Sequence, residues 1–108
     1  MKTKIWEFVY LSTVDGCVDV RTSLHATFDK AKEYFDKSVE NDIKDIQESA
    51  ECRNLKVLYL YDEDFDKKVE DEDYVIDKEE TYYESYQYGC ALDSTVVMMI
   101  KEHELEAE

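Results

Sequence analysis

The chain of 108 residues has no proline, two glycines, two histidines and three cysteines, and its 28 Asp and Glu outnumber 13 Lys and Arg. Each shortage argues against a class of function. With Gly16 and Gly89 as the only glycines, there is no Gly-rich loop to cradle a phosphate. A formal net charge of −15 argues against direct nucleic-acid binding through a basic surface, which needs Lys and Arg to displace counterions from phosphates. No apolar run approaches the ~20 residues of a membrane span. The N-terminus lacks the basic-then-apolar pattern of a signal peptide. Cys17, Cys52 and Cys90 are odd in number, far apart and not in a Cys-x-x-Cys pair, so a disulfide framework is not expected. Reduced thiols in or near the core of a cytoplasmic protein are the expectation.

Catalysis has little to draw on. His25 and His103 are the only imidazoles, and neither is spaced to form a nucleophile pair with a cysteine. Carboxylates are so abundant that no pair of them is diagnostic. We therefore expect a protein that is not an enzyme, with no catalytic residue, bound metal or cofactor. The run Asp62–Asp73 places acids at positions 1, 3, 5, 9 and 12 of a calcium-binding loop. It has Lys67 where the sharp turn needs glycine and Asp73 where a bidentate Glu belongs, so a solvated acidic segment is the better reading.

What the chain does have is a 44% hydrophobic fraction, enough for one domain with a real core. The charge is concentrated. Residues 1–61 sum to only −2, whereas 62–80 hold eleven acids against three lysines, a balance of −8. Such a block is the first candidate for a working surface.

Lys4–Leu11 reads as a strand with Trp6, Phe8 and Tyr10 on one side and Ile5, Val9 and Leu11 on the other. Asp15-Gly16 marks a hairpin turn, and Cys17–Thr22 alternates as an edge strand. Thr27 is the predicted N-cap of a long helix, with Asp29 in its first turn. The apolar stripe Ala31, Tyr34, Phe35, Val39, Ile43, Ile46 and Ala50 carries that helix forward. Leu55–Tyr61 and Tyr74–Ile76 follow as strands. Thr81-x-x-Glu84 fits a capping box, predicting a short helix over Tyr82–Tyr88 closed by Gly89. Thr95–Ile100 is a continuous apolar run, the pattern of a strand covered on both faces. The prediction is an α+β domain over 1–101, a small mostly antiparallel sheet ordered β-β-α-β-β-short α-β on one long amphipathic helix. An acidic, frayed tail is expected over 102–108. One helix cannot cover both sheet faces, so the second must lie under the Tyr82–Tyr88 helix or against another subunit.

The opening hairpin, the Thr-capped helix with Ala31 and Tyr34-Phe35, and the segment Tyr83-x-x-Tyr86-x-Tyr88-Gly89 before a last strand resemble the layout of small acidic proteins of phages and other mobile elements. That resemblance implies a context of host-defence inhibition by contact, anti-CRISPR proteins being one such group, and it brings no catalytic residues. The stripe Asp29, Glu33, Asp36 and Glu40, extended by the 62–80 block, can mimic the charge spacing of a nucleic-acid backbone and attract a basic partner. The expected partner-binding residues are Asp62, Glu63, Asp64, Asp66, Glu70, Asp71, Glu72 and Asp73. Tyr82, Tyr83, Tyr86 and Tyr88 are the expected aromatic contacts to a partner or to a second copy. The leading expectation is an inhibitor that occupies a basic, nucleic-acid-binding surface of a host defence or nuclease complex. The alternatives are a structural or regulatory homodimer whose acidity serves solubility, or a small-ligand binder using the tyrosines.

Overall fold

Aromatic and β-branched residues alternating through the N-terminal segment form a long strand, β1 (Lys2–Val14), that turns at Gly16 into β2 (Cys17–His25). This computed structural model describes residues 2–14, 16–89 and 95–106; Asp15 of the predicted turn and Cys90 lie outside them. Gly16 has φ +81°, the left-handed conformation a tight hairpin turn asks for. The long helix α1 (Phe28–Arg53) starts as predicted, with Thr27 Oγ1 accepting the Lys30 N–H at 3.2 Å. It ends at Asn54, whose left-handed backbone (φ 56°) lets its N–H reach the carbonyls of Ala50 and Glu51. Beyond it come β3 (Val57–Tyr59), a single-turn helix α2 (Phe65–Lys68), β4 (Tyr74–Lys78), β5 (Tyr82–Gln87) and β6 (Thr95–Glu106).

The six strands form one mixed sheet in the order β2-β1-β6-β5-β4-β3. Every neighbour is antiparallel except the β3–β4 pair. A parallel pair needs a crossover, and residues 60–73 with α2 supply it. The fold is thus α+β, a sheet with one long helix packed on one face. Phe8, Tyr83, Met98, Tyr74 and Ile76 of the sheet meet Phe35, Val39, Ile46 and Ala50 of α1 in the core.

Because β2 and β3 are opposite edges, α1 must carry the chain across the whole sheet. Its 26 residues extend about 39 Å, longer than the roughly 24 Å spanned by five inter-strand steps. The helix therefore runs diagonally, from beneath His25 to the start of β3. That path leaves the corner at the β1–β2 turn without a helix above it.

Three expectations are corrected. The Tyr82–Tyr88 segment is a strand, not a helix. Its residues alternate, with Tyr83, Ser85 and Gln87 buried and Tyr82, Glu84 and Tyr86 half-buried. Pairing with β4 and β6 on either side outweighs the local helix-start signal. The tail is not frayed through Glu106, because Lys101–Glu106 pair in register with Lys2–Glu7. Cross-strand bonds from Lys4 to Glu102 (3.0 Å) and His103 to Glu7 (3.0 Å) help hold this two-stranded extension. Finally, Cys17 and Cys52 are exposed and free, one opening an edge strand and the other on the outer side of the last helical turn.

Candidate functional site

The acidic loop is folded around one of its own carboxylates. Asp73 is only 3% exposed, and its two oxygens accept the backbone N–H groups of Lys56 and Glu70, each at 3.0 Å. The Lys56 ammonium lies 3.5 Å from the same carboxylate and also donates to the Lys68 carbonyl. Asp73 is therefore an internal fastener that ties the crossover to the start of β3, and it is not available on the surface. The other seven predicted acids are exposed. Lys68 stands 3.7 Å from Asp64 and 4.0 Å from Asp62, Arg53 pairs with Glu72 at 3.4 Å, and Lys56 reaches Glu70 at 3.9 Å. Glu63, Asp66 and Asp71 take part in no ion pair among the described residues. Gly89, at φ +78°, lets the loop close. A Cβ there would stand 2.7 Å from an Asp71 carboxylate oxygen.

Strand alternation splits the tyrosine cluster. Tyr83 points into the core toward α1, whereas Tyr82 and Tyr86 lie on the opposite face. Tyr88 meets Phe65 of α2 edge-on, ring centroids 6.4 Å apart. So the four residues do not form one surface. Tyr82 and Tyr86 join a different group, the sheet face turned away from α1. By the strand register, that face carries Ile5, Val9 and Leu11 of β1, Val18, Val20 and Leu24 of β2, and Val97 and Met99 of β6. Val18, Val20 and Leu24 are exposed at 64%, 55% and 65%. Among the described residues only its β3–β4 end is closed, where Leu58 and Val75 are buried. The expected helix over this face does not exist, since the segment assigned to it is itself a strand. β6 is accordingly not covered on both sides.

A third group was missed from the sequence. Asp42 of α1 accepts hydrogen bonds at one oxygen, Oδ2, from the Tyr83 hydroxyl (2.5 Å) and the Ser85 hydroxyl (2.9 Å). Burial pushes its carboxyl above the usual aspartate value, against the two hydrogen bonds that favour the ionised form, and Asp45 adds to the rise. Tyr83 is pushed up in turn by burial and by the facing carboxylate. The one available signal was Asp42 interrupting the inner side of an amphipathic helix.

The histidines are engaged with neighbours: His25 bonds Ser23 (2.8 Å) and packs on the Tyr34 ring. Among the described residues, no three His, Cys, Asp or Glu side chains group as metal ligands, and no helix is long and apolar enough to cross a membrane. No protein-family model matches the chain, and neither a curated protein nor a solved structure matches it.

Proposed function

We propose that this protein works by contact and not by chemistry, presenting the 62–73 loop to a basic, nucleic-acid-binding surface of a host defence or nuclease complex. The observation that carries this reading is the Asp73 fastening. A free acidic stretch would lose much of its Coulomb gain to ordering when it bound. Here the buried carboxylate holds the crossover in place, so the exposed acids around it form a preorganised negative surface that steers a basic partner.

Four substitutions test it: Glu63→Lys, Asp64→Lys, Asp66→Lys and Glu70→Lys together move the net charge from −15 to about −7, two charges per position. None of these side chains makes a bond inside the core, so thermal unfolding should change little. Capture of a partner from host lysate should fall at least tenfold at low salt, and capture by the native chain should weaken steeply as salt rises. Undiminished capture by the fourfold variant sinks the acidic-surface reading.

The open sheet face favours a second reading that is compatible with the first: the chain pairs with a copy of itself. Its accessible surface of 7500 Å² exceeds the roughly 6300 Å² typical of a monomer of its mass. Its radius of gyration, 16.1 Å, exceeds the about 13 Å of a compact chain of this length. The excess goes with an elongated shape, 55 Å along its longest axis, to which the β1–β6 ribbon and the largely open sheet face both contribute. The open face carries fewer acids than the 62–73 loop. Among the described residues its strands carry Glu7 beside Lys101 and His103, together with Glu84 and Asp77. Two copies of a chain this acidic can approach there with less repulsion than at that loop, whereas a basic partner would find little to pair with. Sheet-on-sheet packing about 10 Å apart would bury it. Sedimentation should give about twice the 12.8 kDa protomer mass. Dimerisation should strengthen with salt, the reverse of partner capture, because screening relieves like-charge repulsion. Val9→Glu with Val97→Glu should return the protein to monomer. A monomer at high protein and high salt concentration refutes the pairing.

A further inference from the structure

The flank of α1 toward the uncovered corner of the sheet is polar and plays no part in either contact surface. Tyr34, Ser38, Asn41, Asp42, Asp45 and Ser49 recur along it at helical spacing. Together with β1 and β2 this flank encloses a cleft of about 280 Å³. Phe8, Tyr10, Tyr34 and Met98 supply its apolar walls, with Asp42 and Asp45 on the helix side. Tyr34 is fixed there by edge-on contact with Phe8, at 5.0 Å between ring centroids, and by packing on His25 at 5.5 Å.

Asp42 is the uncommon element. Its Oδ2 is taken by Tyr83 and Ser85, which fixes the carboxylate plane. Its Oδ1 has no hydrogen-bond partner, and neither Asp42 nor Asp45 takes part in an ion pair, among the described residues. Arg21, on the far wall, is engaged with Asp19 at 3.0 Å. Asp42 is half-buried and held in a set orientation, and no buried side-chain atom among the described residues lacks a partner, so its Oδ1 is open to the cleft as a preoriented acceptor that no protein cation takes.

We propose that this cleft binds a small organic cation, an ammonium group on an aromatic body, with the ammonium on Asp42 Oδ1 near Asp45 and the body among Phe8, Tyr10 and Tyr34. Carboxylates beside aromatic faces are the chemistry that recognises ammonium ions. An anion would meet two acids, and a neutral ligand would leave Asp42 unpaired. The volume admits about nine atoms at a water molecule's share of ~30 Å³ each, the size of 2-phenylethylamine. The proposal is independent of the acidic loop and of dimerisation.

The test titrates the full chain with 2-phenylethylamine, 2-phenylethanol and 3-phenylpropionate, followed by NMR. The amine should shift the amides of Ser38, Asn41 and Asp45 and the methyl of Met98 saturably. The alcohol should bind at least tenfold more weakly, and the acid should not bind. Asp42→Asn keeps a carbonyl that can accept from Tyr83 and Ser85, and should lower amine affinity at least tenfold. If that variant does not fold, Ser38→Phe, which fills the cleft from a half-exposed position, should abolish the amine shifts. Equal binding of alcohol and amine, shifts centred on residues 62–73, full affinity in Asp42→Asn, full shifts in Ser38→Phe, or no saturable shift at all would each overturn it.

Discussion

Replacing Tyr83 by alanine should lower stability by about 3–5 kcal/mol, the range for removing a large buried aromatic side chain. Tyr83 is fully buried at the centre of the helix–sheet interface, and its hydroxyl is one of two that hold Asp42. Against the 5–15 kcal/mol of a whole domain, the loss is about a third to a half of a mid-range total. In thermal melts it corresponds to roughly 12–40 °C, at the 4–8 °C per kcal/mol of a domain this size. Tyr83→Phe separates the ring from the hydroxyl. It keeps the packing and should lower stability by only about 1–3 kcal/mol, the loss of one bond to a charged acceptor. The same variant has a pH signature. Tyr83 titrates above the 10.0 of a free tyrosine, so the folded state keeps a proton that the unfolded state gives up. Its contribution is present below pH 10 and declines as pH rises beyond it. Urea melts should therefore show alkaline destabilisation in the native protein and a shallower decline in Tyr83→Phe. Equal slopes would mean that the buried hydroxyl is not what alkali attacks.

How legible this architecture is in the sequence depends on whether its buried positions are apolar. Twenty-six residues of helical periodicity with a Thr27 cap made α1 plain, and runs of aliphatic and aromatic residues located the strands of the hairpin, β3, β4 and the first half of β6. Over Tyr82–Gln87 the inner face reads Tyr83, Ser85, Gln87. Two of those three are polar, so the alternation that marks a half-buried strand was hidden. Ser85 is buried because it bonds Asp42, and Gln87 because its amide donates to the Glu72 carbonyl at 3.2 Å. Neither partner is visible from local pattern. With alternation masked, Thr81-x-x-Glu84 was the strongest local cue, and it pointed to a helix. Lys101–Glu106 failed for the opposite reason. It pairs with β1 while its own side chains are all exposed, so its pattern carries no apolar face. The acidic loop was legible as charge but not as structure, because one of its eight carboxylates does an internal job while looking like the rest.

That carboxylate gives the other large effect. Asp73→Ala removes the acceptor from two backbone N–H groups, those of Lys56 and Glu70, and leaves both donors unpaired where the loop meets the sheet. At about 1–3 kcal/mol for each buried donor left without a partner, offset in part because no carboxylate need then be desolvated, the net loss should be about 2–4 kcal/mol. Asp73→Asn keeps the shape but turns an amide NH2 toward one of the two N–H groups, so it should fall between the native chain and alanine. The damage should be local first. β3 pairs only with β4 through Val57–Tyr59, and the crossover is what delivers β4 to it, so hydrogen exchange at the Lys56 and Glu70 amides should quicken before that of α1 or β1. For the proposed contact surface this variant tests geometry almost without touching charge, since it changes the total by one unit, whereas the fourfold lysine variant changes charge while keeping the fastening. If preorganisation carries binding, Asp73→Ala should weaken partner capture several-fold under conditions in which the domain is still folded by circular dichroism. Full capture with a demonstrably loosened loop would mean that charge alone is read, and the fastening would then serve only the fold.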